Sequence, residues 1–157
     1  MSENVNDDRL LVQRMLAGEE RAFVAFFETY FPRVYRFALP RLDRNADTAK
    51  DVVQATLIKA MRKLGDFRGE AALFTWLCQI CRREISDHVL DRLPGRYGEA
   101  LEWKYVEGRS VEEIGDLLGI GHTAAQSLLA RARVAFRDGL EAVFGASAAD
   151  VLACLEA

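Results

Sequence analysis

The sequence lacks the marks of a catalyst, a membrane protein or a secreted protein. No nucleophile sits with a base to activate it and no glycine-rich stretch forms a phosphate cradle, so acid–base and nucleotide chemistry have no obvious bearers. No apolar run approaches the roughly 20 residues of a membrane span, so no membrane insertion is expected. The opening "MSENVNDDR" is acidic and has no apolar core, so a signal peptide is not expected either. Cysteine is scarce: three residues, an odd number without framework spacing, exclude a disulfide-built domain and point to a reducing cytoplasm. Strand-like alternation and internal repeats are missing too, which removes sheet and solenoid architectures.

Positive charge is also in short supply. The formal net charge is −3, unevenly placed: residues 1–89 hold 14 Lys and Arg against 13 Asp and Glu, and residues 90–157 hold 7 against 11. Proteins that bind duplex DNA unaided draw much of their affinity from phosphate neutralisation. Any nucleic-acid binding by this chain is therefore expected to be weak alone and to depend on a partner.

What is present is helical period. A chain of 157 residues can bury one good core or two small ones. Asp7 or Asp8 can cap a first helix with Leu11, Val12, Met15 and Leu16 on one face, and Gly18 can end it. In "RAFVAFFETYFPRVYRFALPRL", Phe23, Phe26, Phe27, Tyr30, Val34 and Phe37 form a broad apolar stripe; Pro32 is expected to kink that helix and Pro40 to bend or end it. A third helix, residues 47–64, turns Val52, Val53, Leu57, Ile58, Met61 and Leu64 inward. The loop "GDFRGEAA" then feeds a fourth helix over residues 73–88.

Near residue 90 the pattern changes. Pro94 stands near a helix start and Gly108 at its stop, with Leu101 and Tyr105 four apart. Ser110 caps "VEEIGDLLG", and Glu113 completes a capping box. The corner Gly119-Ile120-Gly121 joins it to a long helix from Thr123, the outline of a helix-turn-helix. The expected fold is all-α: two small helical domains, residues 1–89 and 90–145, and a short tail, 146–157, that could add a turn or two.

"DTAKDVVQATLIKAMRKLGDFRGEAALFTWLCQICRREISDH" closely resembles region 2 of the extracytoplasmic-function sigma factors of the sigma-70 family, and "LDRLPGRYGEALEWKYVEGRSVEEIGDLLGIGHTAAQSLLARARVAF" resembles their region 4. With "RAFVAFFETYFPRVYRFAL" the likeness covers residues 8–140 in the family's order. It implies a promoter-recognition subunit of core RNA polymerase, not an enzyme, with promoter DNA as second partner, an anti-sigma factor as an expected third, and no cofactor. The polymerase would supply the general grip on DNA that the chain's own charge does not.

The resemblance assigns sites. Lys50, Asp51, Gln54, Leu57 and Ile58 fall in the polymerase-docking helix; without the resemblance their polar side would read as a solvated face. Phe67, Arg68, Gly69 and Glu70 form the loop, and Trp76, Gln79, Arg82 and Arg83 the helix, that would open the minus-ten element. Opening a duplex needs aromatic faces and a loop backbone close to an unstacked base. Trp76, Gln79 and Arg83 share a stripe; Trp76 either packs in the core or holds a base, and Arg83 stands where the family often has Asn. His122, Thr123, Gln126, Ser127, Arg131 and Arg133 fall where the family reads minus-thirty-five. Gln126 replaces the usual Lys and can contact adenine; Leu128 replaces the usual Arg and either touches a thymine methyl or faces inward. Altered or weakened minus-thirty-five reading is expected.

The join is short. Family members carry a flexible linker, whereas "DHV" runs straight into "LDRLP". Promoter elements one and a half turns apart are separated by about 50 Å, and five or six residues span only about 20 Å. Either a linker near residues 88–90 is missing from this sequence, the favoured reading, or the domains do not hold both elements at once; intact mass decides. Cys78 and Cys81 form a CxxC, but His88 lies about 10 Å of helical rise from Cys81, too far for one metal, so buried thiols are favoured over redox sensing with Cys154. Two rival functions stay open: a sigma-like module that binds polymerase or an inhibitor without reading promoters, and a stand-alone duplex regulator built on residues 90–140.

Overall fold

The computed structural model describes residues 2–145, with side chains from residue 6 onward. Its regular elements are seven α-helices: α1 (Ser2–Leu16), α2 (Glu20–Ala38), α3 (Ala46–Arg62), α4 (Leu73–Asp91), α5 (Tyr97–Tyr105), α6 (Val111–Leu118) and α7 (His122–Phe144). Short 3-10 turns, Leu39–Leu42 and Leu64–Asp66, follow α2 and α3. The expected tail helix and Cys154 lie outside the described residues. The chain divides into two compact units between Ile85 and Ser86. That is a few residues before the expected boundary after residue 89, because the last turns of α4 belong with the second unit: Gly98 comes so close to Leu90 that a Cβ on it would lie 2.9 Å from the Leu90 carbonyl oxygen.

In the first unit α2 buries one residue every turn: Ala22, Phe26, Tyr30, Val34 and Ala38. The stripe is narrower than its aromatic content suggests, since Phe23, Phe27 and Phe37 are only half-buried. The helix runs on through Pro32, which is exposed, and gives way to a 3-10 turn at Leu39, with Pro40 inside that turn. Asn45 caps α3, its side chain accepting from the Thr48 amide at 3.1 Å. Val53, Leu57 and Ala60 of α3 and Leu73, Leu77, Cys81 and Ile85 of α4 complete the core. Complete burial of a residue such as Phe26 accounts for about 3–5 kcal/mol against its truncation to Ala. Two residues expected inside are outside: Leu16 (58% exposed) closes α1 as it leaves the bundle, and Ile58 (44%) lies on the outer face of α3.

Asp8 does not cap its own helix. α1 begins six residues earlier, at Ser2, and Asp8 is buried within it, turned toward α2 and α4. Gly18 does end the first helical segment, with φ of 82°.

In the second unit α5, α6 and α7 pack around Ala100, Ile114 and Leu129, with Trp103, Val111, Leu118 and Leu128 packed on them. Ser110 caps α6, its hydroxyl accepting from the Glu113 amide at 3.1 Å and meeting the Glu113 carboxylate at 3.3 Å. Gly119, at φ 68°, closes α6 in the left-handed region. Gly115 has a different reason to be glycine: a Cβ there would lie 2.9 Å from the Ile120 carbonyl oxygen and 3.6 Å from the Ala125 Cβ, so α6 packs tightly on the corner. Leu101 is buried as its spacing predicts, but Tyr105 is 59% exposed.

Candidate nucleic-acid interface

Three surfaces collect the residues singled out in the sequence. On α3, Lys50, Asp51, Gln54 and Ile58 are all exposed along one side, a polar strip with an apolar end. Leu57 is not part of it. It is fully buried, because its position one residue from Ile58 turns it by about 100° into the core, and it can only support the strip from beneath. The base of α3 is tied to α4 by the Lys59–Glu84 ion pair.

The second surface is the loop of residues 67–72 with the start of α4. Phe67 and Trp76 are both half-buried, their rings 5.4 Å apart and tilted by 57°. Trp76 is thus neither wholly core nor wholly free: one part of the ring packs and the rest is open. Arg68, Glu70, Gln79 and Arg83 are exposed. Arg82 leans away from the Gln79–Arg83 side, its guanidinium 5.4 Å from the Phe37 ring. Gly69 has φ of 72°, but the approach it allows is already taken: a Cβ there would collide with the Arg9 side chain, whose Nη2 donates to the Gly69 carbonyl oxygen at 3.2 Å. A base cannot use that same side of Gly69 while Arg9 occupies it.

Sequence reading missed Arg9, and with it a run of arginine–aromatic contacts on this unit. Arg33 lies over Phe74 at 4.3 Å and over Tyr30 at 5.3 Å, and Arg41 over Phe37 at 3.9 Å. Arg three or four residues after an aromatic is a visible signal for Arg33 and Arg41; the pairing with Phe74 is not.

The third surface is α7. His122, Thr123, Gln126 and Ser127 are exposed over its first two turns, and Gly121 caps the helix without a side chain, leaving its N-terminal amides open to a phosphate. Leu128 takes the inward alternative, packing on the Ile114–Leu129 core and lining a groove with Leu118, Ile120 and Arg131. Arg131 and Arg133 do not act as a pair. Two residues apart on a helix means about 200° of rotation, so they flank the exposed face on opposite edges, and Arg133 donates to the Tyr105 hydroxyl at 3.1 Å.

Cys78 and Cys81 are free and buried. Burial pushes both thiols up from 9.0, Cys81 to about 12, so neither carries appreciable thiolate near neutrality. Among the described residues no three His, Cys, Asp or Glu cluster as metal ligands, and no helix is long and apolar enough to cross a membrane.

Comparison with known proteins gives two regional matches. Sigma-70 region 2 matches residues 26–93 and sigma-70 region 4 matches residues 83–136. The chain belongs to the extracytoplasmic-function group of the sigma-70 family. The Pseudomonas aeruginosa sigma-H factor is 36% identical over 85 residues, 54% of this chain and 44% of that one. The sigma factor BldN of Streptomyces coelicolor is 36% identical over 107 residues, 66% of this chain and 40% of that one. The Escherichia coli sigma-E factor is 31% identical over 122 residues, 78% of this chain and 61% of that one. The chain thus spans between 40% and 61% of the length of these relatives. The two regional matches overlap at residues 83–93, and residues 88–90, where a linker was expected to be missing, are helical within α4.

Proposed function

We propose that this sigma-70 family protein is a promoter-recognition subunit. It binds core RNA polymerase through the outer strip of α3 and directs it to particular promoters. The loop of residues 67–72 and the exposed stripe of α4 part the strands at minus-ten, and the first turns of α7 read minus-thirty-five. The protein has no chemistry of its own to perform; the polymerase catalyses and the subunit selects, in the cytoplasm. An anti-sigma factor covering the docking strip follows from the family, with no residue of this chain assigned to it.

The observation that carries the reading is the half-open Phe67–Trp76 pair, with Gln79 and Arg83 exposed along the same helix. An unstacked base gains about 1–3 kcal/mol from an aromatic face, and the neighbouring side chains can hold its edge and phosphate. The test is crosslinking of the holoenzyme to single-stranded minus-ten DNA together with run-off transcription: both are expected, and both should fall sharply in Phe67→Ala.

One observation favours the rival module that binds partners without reading promoters. α7 has turned Leu128 into the core and given Arg133 a partner within its own domain, so fewer side chains are left for base contact. That rival predicts no crosslink to single-stranded DNA at all.

A further inference from the structure

We infer that α1 is the clasp of the strand-opening loop, and that Asp8 and Arg9 are positioning residues for promoter recognition. The inference rests on the proposed role of the loop, and adds that its conformation is set by a helix earlier in the chain that makes no contact with the base itself.

The loop has little to hold it by itself. Phe67 donates to the Leu64 carbonyl at 3.2 Å and the Ala72 carbonyl accepts from Trp76 at 3.2 Å, but among the described residues no backbone–backbone hydrogen bond involves residues 68–71. α1 supplies what is missing, at two points. Arg9 Nη2 donates to the Gly69 carbonyl oxygen at 3.2 Å, across 60 residues of sequence. Its side chain covers the Gly69 α-carbon so closely that a Cβ there would have to displace it, and Gly69, at φ 72°, is buried. One residue earlier, Asp8 reaches the other end of the loop: its Oδ2 accepts from the Leu73 amide at 2.9 Å, across 65 residues. That amide opens α4 and has no partner within its helix, so Asp8 is an N-cap supplied from another helix. The second carboxylate oxygen accepts from the Tyr30 hydroxyl at 2.8 Å, which fixes the carboxylate against α2.

Adjacent residues on α1 thus hold the middle and the end of one loop. Between and beside the two anchor points stand the groups that would meet DNA: Phe67 and Arg68 before Gly69, Glu70 after it, and Trp76 one turn into the helix that Asp8 caps. Asp8 is 8% exposed, so it cannot serve as a contact to nucleic acid, and its role is positional. Holding recognition groups in one geometry before the ligand arrives removes an ordering cost from binding.

The test uses the full chain, free and as holoenzyme, with Arg9→Ala and Arg9→Lys. Arg9 is exposed, so its replacement should leave the domain folded. Hydrogen exchange of the free chain reads the loop; the DNA probe is a pool of single-stranded oligonucleotides randomised over six positions, selected on the wild-type holoenzyme. Arg9→Ala is expected to speed exchange of the hydrogen-bonded Phe67 and Leu73 amides that bound the loop, and to lower preference for the selected sequence over the starting pool, each by about tenfold, the equivalent of one hydrogen bond to a charged group. Affinity for core polymerase should not change, and Arg9→Lys, which can still donate to Gly69, should recover most of the preference. Unchanged exchange and unchanged preference would overturn the inference. So would tighter DNA binding by Arg9→Ala, which would make Arg9 a cover over the loop. If the wild-type holoenzyme enriches no sequence, the promoter reading falls, and exchange alone then judges the clasp: protection lost in Arg9→Ala supports it, equal protection refutes it.

Discussion

The two surfaces proposed to meet nucleic acid are built on opposite plans. The helix-turn-helix of the second unit is mostly local: its cap, corner and outer face fall within residues 110–133, and its core adds Ala100 and Trp103 from the helix just before. The loop of the first unit, proposed to open the strands, is assembled from distance, with anchors 60 and 65 residues upstream. A helix presented to a groove needs only a rigid local scaffold. A loop that must hold a single strand has no internal ladder to keep its shape, so other helices hold it in place.

This contrast can be broken first at the aromatic pair. Replacing Phe67 and Trp76 together by Ala should reduce promoter opening by about a hundredfold, two stacking contacts at roughly 1–3 kcal/mol each. Duplex binding at minus-thirty-five should be unchanged. Permanganate reactivity of the melted region reads the first and footprinting of the holoenzyme the second.

Next come the two caps, one remote and one local. Asp8→Ala leaves a buried amide and the Tyr30 hydroxyl without their carboxylate partner, and should cost about 3 kcal/mol of stability. Ser110→Ala removes an exposed cap at the start of α6 and should cost about 1 kcal/mol. Urea unfolding compares them; equal costs would remove the distinction between the two plans.

Smaller again are the effects on α7. Gln126→Ala should cost about 1–3 kcal/mol at a single minus-thirty-five base pair, and Arg131→Ala a part of that without base preference. Arg133→Ala should leave selectivity as it was, since that side chain is held by Tyr105. Gel shifts of the holoenzyme on single-substituted promoters separate the three. Loss of selectivity in Arg133→Ala would mean that the Tyr105 contact opens on DNA.

The thiols act only at high pH. Cys81 is raised to about 12 from 9.0, so the folded chain keeps a proton that the unfolded chain releases. Its contribution to stability is complete below pH 9 and is lost as pH rises toward 12. Tyr30, also raised, mainly by burial and then by Asp8, acts in the same direction from a higher starting point. Unfolding titrations should therefore show stability falling through that window, less steeply in Cys81→Ala. Ellman's reagent at pH 8 should leave Cys78 and Cys81 unmodified until the chain unfolds.

What the sequence made legible follows the same division. The Ser110–Glu113 cap and the Gly119 corner are written in residues a few positions apart, and capping chemistry reads them directly. Helical period does the same for the exposed strip of Lys50, Asp51 and Gln54. Asp8 looked like a local cap because Asp near a helix start is the common case, and nothing at residue 8 points to residue 73. Gly69 is a point of close approach, and what approaches it within the chain is Arg9; a glycine does not specify what comes near it. Leu57 and Ile58 were taken together, whereas one residue of helix separates core from surface. Period alone allows Leu128 two orientations, and packing on the Ile114–Leu129 core selects the inward one.

The central claim is that an acidic chain acquires promoter recognition only in the company of polymerase. Binding of fluorescent promoter DNA to the protein, titrated with and without core RNA polymerase at physiological salt, tests this most directly. Weak, sequence-indifferent binding by the chain alone and tight binding with open minus-ten strands in the complex is the predicted result. Tight duplex binding without polymerase, or a complex with polymerase that opens no promoter, would contradict it.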